Sequence, residues 1–127
     1  MENNANALNW FEIPAADINR AKSFYETIFG INMGDTVDMM GMQMAFFPAS
    51  DGKVSGGLVQ GPMHKPSGEG AIVYLNANPA GMENVLNKIP AAGGQVTMPK
   101  TQISPEIGYM AFFTDTEGNA VALHSNN

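Results

Sequence analysis

The run Met110-Ala111-Phe112-Phe113 repeats an earlier run, Met44-Ala45-Phe46-Phe47, at an offset of 66 residues. An acidic residue and a glycine follow each copy, Asp51-Gly52 and Glu117-Gly118, and the two glycines are again 66 residues apart. An ungapped repeat of about half the 127-residue chain is the mark of one supersecondary unit used twice. No other feature restricts the fold as much, because both halves must bury the same kind of surface in the same way. Each copy reads as strand, turn, strand. Residues 110–113 are apolar and aromatic, 115–119 have turn chemistry, and 120–123 are apolar again.

The rest of the chain fits around the two hairpins. Residues 1–7 are a polar lead-in, and 8–13 alternate as a strand with Phe11 and Ile13 on one face and Leu8, Trp10 and Glu12 on the other. Pro14 closes that strand. Asp17 is an N-cap, Ile18, Ala21, Phe24, Tyr25 and Ile28 recur at helical spacing, and Gly30 supplies a left-handed stop. Residues 35–40, 42–47 and 54–60 read as strands. Residues 62–70, with Pro62, Pro66 and Ser67, form a linker. The second half repeats the order. Residues 71–76 are a strand, and Asn78 is expected to cap a helix with Pro79 in its first turn. Met82, Val85, Leu86 and Ile89 are its apolar stripe, and Pro90 is expected to end or bend it. Residues 95–98 are a strand, and a proline-containing loop then leads to the final hairpin. The fold class expected is α+β, with βαβββ modules at 8–61 and 71–125. The open sheet faces then enclose a cupped pocket, or the halves stack without one; the pattern does not choose.

The composition excludes several function classes. A net charge of −6 provides no basic surface for a phosphate backbone, so nucleic acid and anionic membrane are poor partners. The absence of cysteine removes disulfides, thiolate metal sites and a thiol nucleophile. No apolar run approaches a membrane span, and no signal-peptide pattern opens the chain, so a cytoplasmic address is expected.

Two separated motifs resemble one family. Trp10-Phe11-Glu12-Ile13-Pro14 with Asp17, Arg20-Ala21-Lys22 and Phe24-Tyr25 to Phe29-Gly30 is similar to the opening of the vicinal oxygen chelate superfamily. That group includes glyoxalase I, extradiol dioxygenases and the bleomycin- and fosfomycin-resistance proteins. Asp115-Thr116-Glu117-Gly118-Asn119 resembles its closing turn, with Thr116 where proline is usual. The resemblance implies a cupped pocket between two modules, commonly within a homodimer, and in many members a divalent metal. The ligand positions it implies fall here on Trp10, Gly56, Ala71 and Ala122. None of these side chains can donate to a divalent ion, so no metal and no other cofactor is expected.

Period-two alternation puts Glu12 beside Trp10 and His124 beside Ala122. If the cup holds one pair it holds the other, and a carboxylate facing an imidazole can serve as an acid/base pair. The alternative is a rim carboxylate and a terminal histidine, both in solvent. Trp10 is either the floor of an aromatic ligand site or core packing. Gln60 and Tyr109 either reach the cavity or serve surfaces, and His64 belongs to the solvated linker. The methionines from Met39 to Met44 line a pocket, a core or a dimer seam. Three functions are open: a metal-free binder of a small apolar or aromatic molecule, a lyase or isomerase using His124 and Glu12, or an interaction module with a filled pocket.

Overall fold

The computed structural model describes residues 1–79 and 81–127. The first half is β1 (Trp10–Pro14), α1 (Ile18–Phe29), β2 (Val37–Met39), β3 (Met42–Phe46) and β4 (Ser55–Gln60). The second is β5 (Tyr74–Asn76), α2 (Met82–Ala92), β6 (Gln95–Ser104), β7 (Gly108–Thr114) and β8 (Ala120–Ser125). Two mixed sheets result, ordered β1-β4-β3-β2 and β5-β8-β7-β6, with β1 parallel to β4 and β5 parallel to β8. The architecture is α+β, and βαβββ occurs twice.

α1 forms where its local signals agree. The Asp17 carboxylate accepts from the amides of Asn19 and Arg20, both at 3.1 Å, so two orphan donors of the first turn are satisfied. Ile18, Ala21, Phe24, Tyr25 and Ile28 are all buried on one stripe, and Gly30 closes the helix at φ +64. Each of the larger apolar side chains stabilises the fold by roughly 1.5–3 kcal/mol on burial. The stripe does not serve its own half alone. Phe24 packs on Phe113 with ring centroids 6.0 Å apart, and one apolar cluster runs from Ile13 and Leu58 to Val85, Ile89 and Leu123.

The second half departs from expectation in four places. Residues 71–73 precede β5, which has three residues, although the carbonyl of Val73 still accepts from the amide of Ala122 at 3.0 Å. Asn78 does not cap α2: the N-cap is Gly81 at φ +96, and the Asn78 side chain accepts from the Asn126 amide at 3.0 Å. The chain turns here instead, with a cis peptide before Pro79, and the helix starts later. Pro90 does not stop the helix, which runs on to Ala92 before Gly93 caps it. A proline so near the end removes one helical bond while the following glycine amides still reach the Ile89 carbonyl. Finally, β6 continues through Pro99 to Ser104, where a loop was expected. It is an edge strand with three register shifts, the setting in which a missing amide costs least.

Candidate functional site

Strand alternation sorts the side chains of the first sheet. Phe11, Ile13, Ala45 and Leu58 face the helices and join the core, whereas Trp10 and Glu12 lie on the opposite, open face. Met44, Phe46, Val37 and Met39 share that face through the β2–β3–β4 register. Trp10 is 41% exposed and its ring tilts against Phe46 at 5.8 Å. In the second sheet Tyr74 and Phe112 both pair with Ala122 and meet edge-on at 5.8 Å, and Tyr74 is 50% exposed. Each half thus presents an aromatic pair on its open face.

Glu12 is held from two sides. The indole Nε1–H of Trp10 donates to Oε2 at 3.3 Å, and Nε2 of His64 lies 2.7 Å from Oε1. An ionised carboxylate only accepts, so the proton of that second bond sits on Nε2. His64 is therefore not a solvated linker residue. Its side chain is 16% exposed, and its Nδ1 is buried without a partner. The structure brings Glu12 to His64, not to His124, whose Nε2 meets the carbonyl of Ile107 at 2.7 Å. A cavity of about 210 Å³ lies where the halves meet, walled by Glu12, Pro14, Lys65, Val73 and Val121, with Ala71 also on its wall.

Two candidate residues face away from this cavity. The Gln60 side chain accepts from the Ile18 amide at 2.8 Å, completing the N-terminal cap of α1. Tyr109 packs against the core on the helix side, with the Lys100 ammonium 4.5 Å from its ring centroid. Period two would have grouped Gln60 with Leu58 and Tyr109 with Ala111. His64 gave no such signal, because its partner is 52 residues away.

The register also shifts the positions at which metal ligands would stand. Phe46 pairs with Gly57, eleven residues on, whereas Phe112 pairs with Ala122, ten residues on. The first hairpin holds one extra residue, and a one-residue slip exchanges the faces of a strand. A Cβ on Gly56 would strike the Phe11 ring at 2.5 Å, on the helix side. One on Gly57 would stand 3.6 Å from Trp10 on the open side. By the parallel registers, Glu12 opposite Gly57 matches Tyr74 opposite Ala122, so Trp10 is matched by Ile72 rather than Ala71. The equivalent set is Trp10, Gly57, Ile72 and Ala122. It has no oxygen, imidazole or thiolate and does not fit a divalent ion. Among the described residues no three His, Cys, Asp or Glu side chains cluster to hold one.

The closing turn joins the halves. Buried Asp115 accepts from the Tyr25 hydroxyl at 2.7 Å and from the amides of Glu117 and Asn119, both at 2.9 Å. The Asn119 side chain donates to the Pro14 carbonyl at 2.7 Å. Glu117 accepts from the amides of Ala16 and Asp17 and pairs with Arg20 at 2.7 Å. Burial would raise the Glu117 carboxyl, but these bonds together outweigh it and hold its pKa below the ordinary value. Burial first, and then the neighbouring Asp115 charge, push the Tyr25 phenol well above its ordinary range.

The model of the Glyoxalase/Bleomycin resistance protein/Dioxygenase superfamily matches residues 7–123. The chain belongs to that superfamily. It is 29% identical over 119 residues to CFP32 of Mycobacterium tuberculosis, whose name assigns it provisionally to the glyoxylases. The match takes in 94% of this chain and 45% of that protein, so the chain spans about half the length of this relative. It is 28% identical to a glyoxylase-like domain-containing protein of Didymella fabae, with 91% of each covered. Among solved structures, a glyoxalase/bleomycin resistance protein from Albidiferax ferrireducens superposes with a TM-score of 0.68 at 19% identity, covering 93% of this chain and 97% of that one. Glyoxalase I from Zea mays gives 0.65 at 18% identity, covering 91% of this chain and 43% of that one. At such identities these structures speak for the fold alone, and the fold agrees with the tandem βαβββ modules.

Proposed function

We propose that this glyoxalase-like chain binds a small, largely apolar or aromatic organic molecule between its halves, without a divalent metal. The observation that carries the reading is a substitution of chemistry. Where family members hold metal ligands, this chain has Trp10, Gly57, Ile72 and Ala122, and aromatic pairs flank those positions. Indole and phenol rings offer broad apolar area with a polar edge, which suits a flat ligand. The exposed Val37, Met39, Ile72 and Tyr74 support a homodimer that covers the open faces, and no described helix is long and apolar enough to cross a membrane. A cytoplasmic protein is the corresponding setting.

Trp10 is the only tryptophan, so its fluorescence reports directly on this face. Titration with benzyl alcohol, a neutral aromatic probe, is expected to change the emission saturably, and Trp10→Ala is expected to weaken binding at least tenfold by calorimetry. No heat and no spectral change would end the reading. A stoichiometric divalent ion retained through dialysis would end its metal-free part. The lyase or isomerase reading retains Glu12 as an oriented base but loses His124 as its partner, because that imidazole meets the Ile107 carbonyl instead; turnover that survives His124→Ala would remove His124 from the chemistry. The interaction-module reading requires a filled interior, and the 210 Å³ cavity counts against it.

A further inference from the structure

We infer that the molecule this site selects is an organic cation, an ammonium group on a small apolar or aromatic body; this rests on the binding reading above and narrows it. The cavity of about 210 Å³ has room for about seven waters at roughly 30 Å³ each, enough for one substituted ring. Its walls are mostly apolar, with Pro14, Val73 and Val121 among them; Ser67 and Asn119 also line it, but their side-chain oxygens already accept from the amides of Glu69 and Ser67, and the one carboxylate is Glu12. That carboxylate is preorganised. The Trp10 indole and the His64 imidazole fix one oxygen each, at 3.3 and 2.7 Å. Two bonds leave about half of the four lone-pair places of a carboxylate for an incoming N–H donor. The Glu12 side chain is still 34% exposed, so a ligand can reach it.

The surroundings favour the same sign of charge. The half-exposed indole of Trp10 stands beside Glu12 at the cavity's margin rather than in its wall, and the negative face of its ring attracts a cation arriving at that carboxylate. A net charge of −6 attracts cations from solution. Lys65 also lines the cavity, but it belongs to the exposed linker and can turn its ammonium into solvent. A carboxylate pinned in this way draws ammonium hydrogens.

The test compares benzylammonium, benzyl alcohol and benzoate on the 127-residue chain near neutral pH, by calorimetry and Trp10 fluorescence. Benzylammonium is expected to bind at least tenfold more tightly than either of the others. In Glu12→Gln that preference is expected to vanish, and an unchanged circular dichroism spectrum with a cooperative thermal melt shows that the variant is folded. Equal or tighter binding of benzyl alcohol or benzoate by the unmodified protein overturns the cation inference and leaves the binding reading in place. A preference that survives in Glu12→Gln overturns it too, by removing Glu12 as its source. Binding of none of the three overturns both.

Discussion

The turn at Asp51-Gly52 and the turn at Glu117-Gly118 occupy the same place in the repeat, yet residues 48–53 are exposed throughout while Asp115 and Asn119 are buried. Going back 66 residues, Asp115 becomes Ala49 and Asn119 becomes Lys53. The second turn alone has the side chains that fasten α1 and β1 of the other half. A duplicated unit keeps its backbone chemistry in both copies, but the work of holding the copies together has gone to one.

The strongest way to break this comparison is Asp115→Ala set against Asp51→Ala. The first strands the Tyr25 hydroxyl and two amides in the interior and is expected to cost about 3 kcal/mol or more. The second is expected to stay within about 0.5 kcal/mol. Urea unfolding followed by circular dichroism decides, and equal losses would erase the distinction.

Glu117→Gln keeps the shape of the tie and removes its charge, at an expected cost of about 1–2 kcal/mol near neutral pH. The sign with pH follows from the lowered folded pKa. The contribution of Glu117 is complete above its ordinary value of 4.5 and is lost as pH falls through the lower folded value. The gap between parent and variant should therefore narrow from pH 6 to pH 3 in thermal melts, and a constant gap would argue against the tie.

Gly118→Ala and Gly52→Ala sharpen the comparison from the other side. Both glycines have positive φ, +92 and +78, with nothing within 4 Å of an added Cβ. Each substitution is expected to cost about 1 kcal/mol by strain alone. A Gly118→Ala loss well above that of Gly52→Ala would show that backbone position matters to the join as well as side chains.

What could be read in the sequence was the chemistry that acts within a few residues. Asp17, the apolar stripe and Gly30 define α1 because cap, face and stop lie within one helix. The alternation from Trp10 to Ile13 gives the faces of β1 for the same reason, and the 66-residue repeat gave the tandem architecture, with the family motifs in agreement. The misses depend on distant neighbours. Pro99 remains in a strand because β6 lies at a sheet edge, and edge position is a property of the assembled sheet. The extra residue in the first hairpin turned Gly56 inward and Gly57 outward, a change that only the pairing with Phe46 reveals. His64 reads as linker until the chain brings Glu12 to within 2.7 Å. Asn78 has the chemistry of a cap, but the turn before Gly81 delays the helix it would have served.

The outer margin of the second sheet is a poor template for another chain. Pro99 withholds one donor, and the three register shifts of β6 interrupt the ladder that a foreign strand would need to follow. At the edge of the first sheet, β2 offers only three residues. Copies of this protein that meet at these two borders cannot extend a common sheet, so ribbon-like polymerisation has no start there.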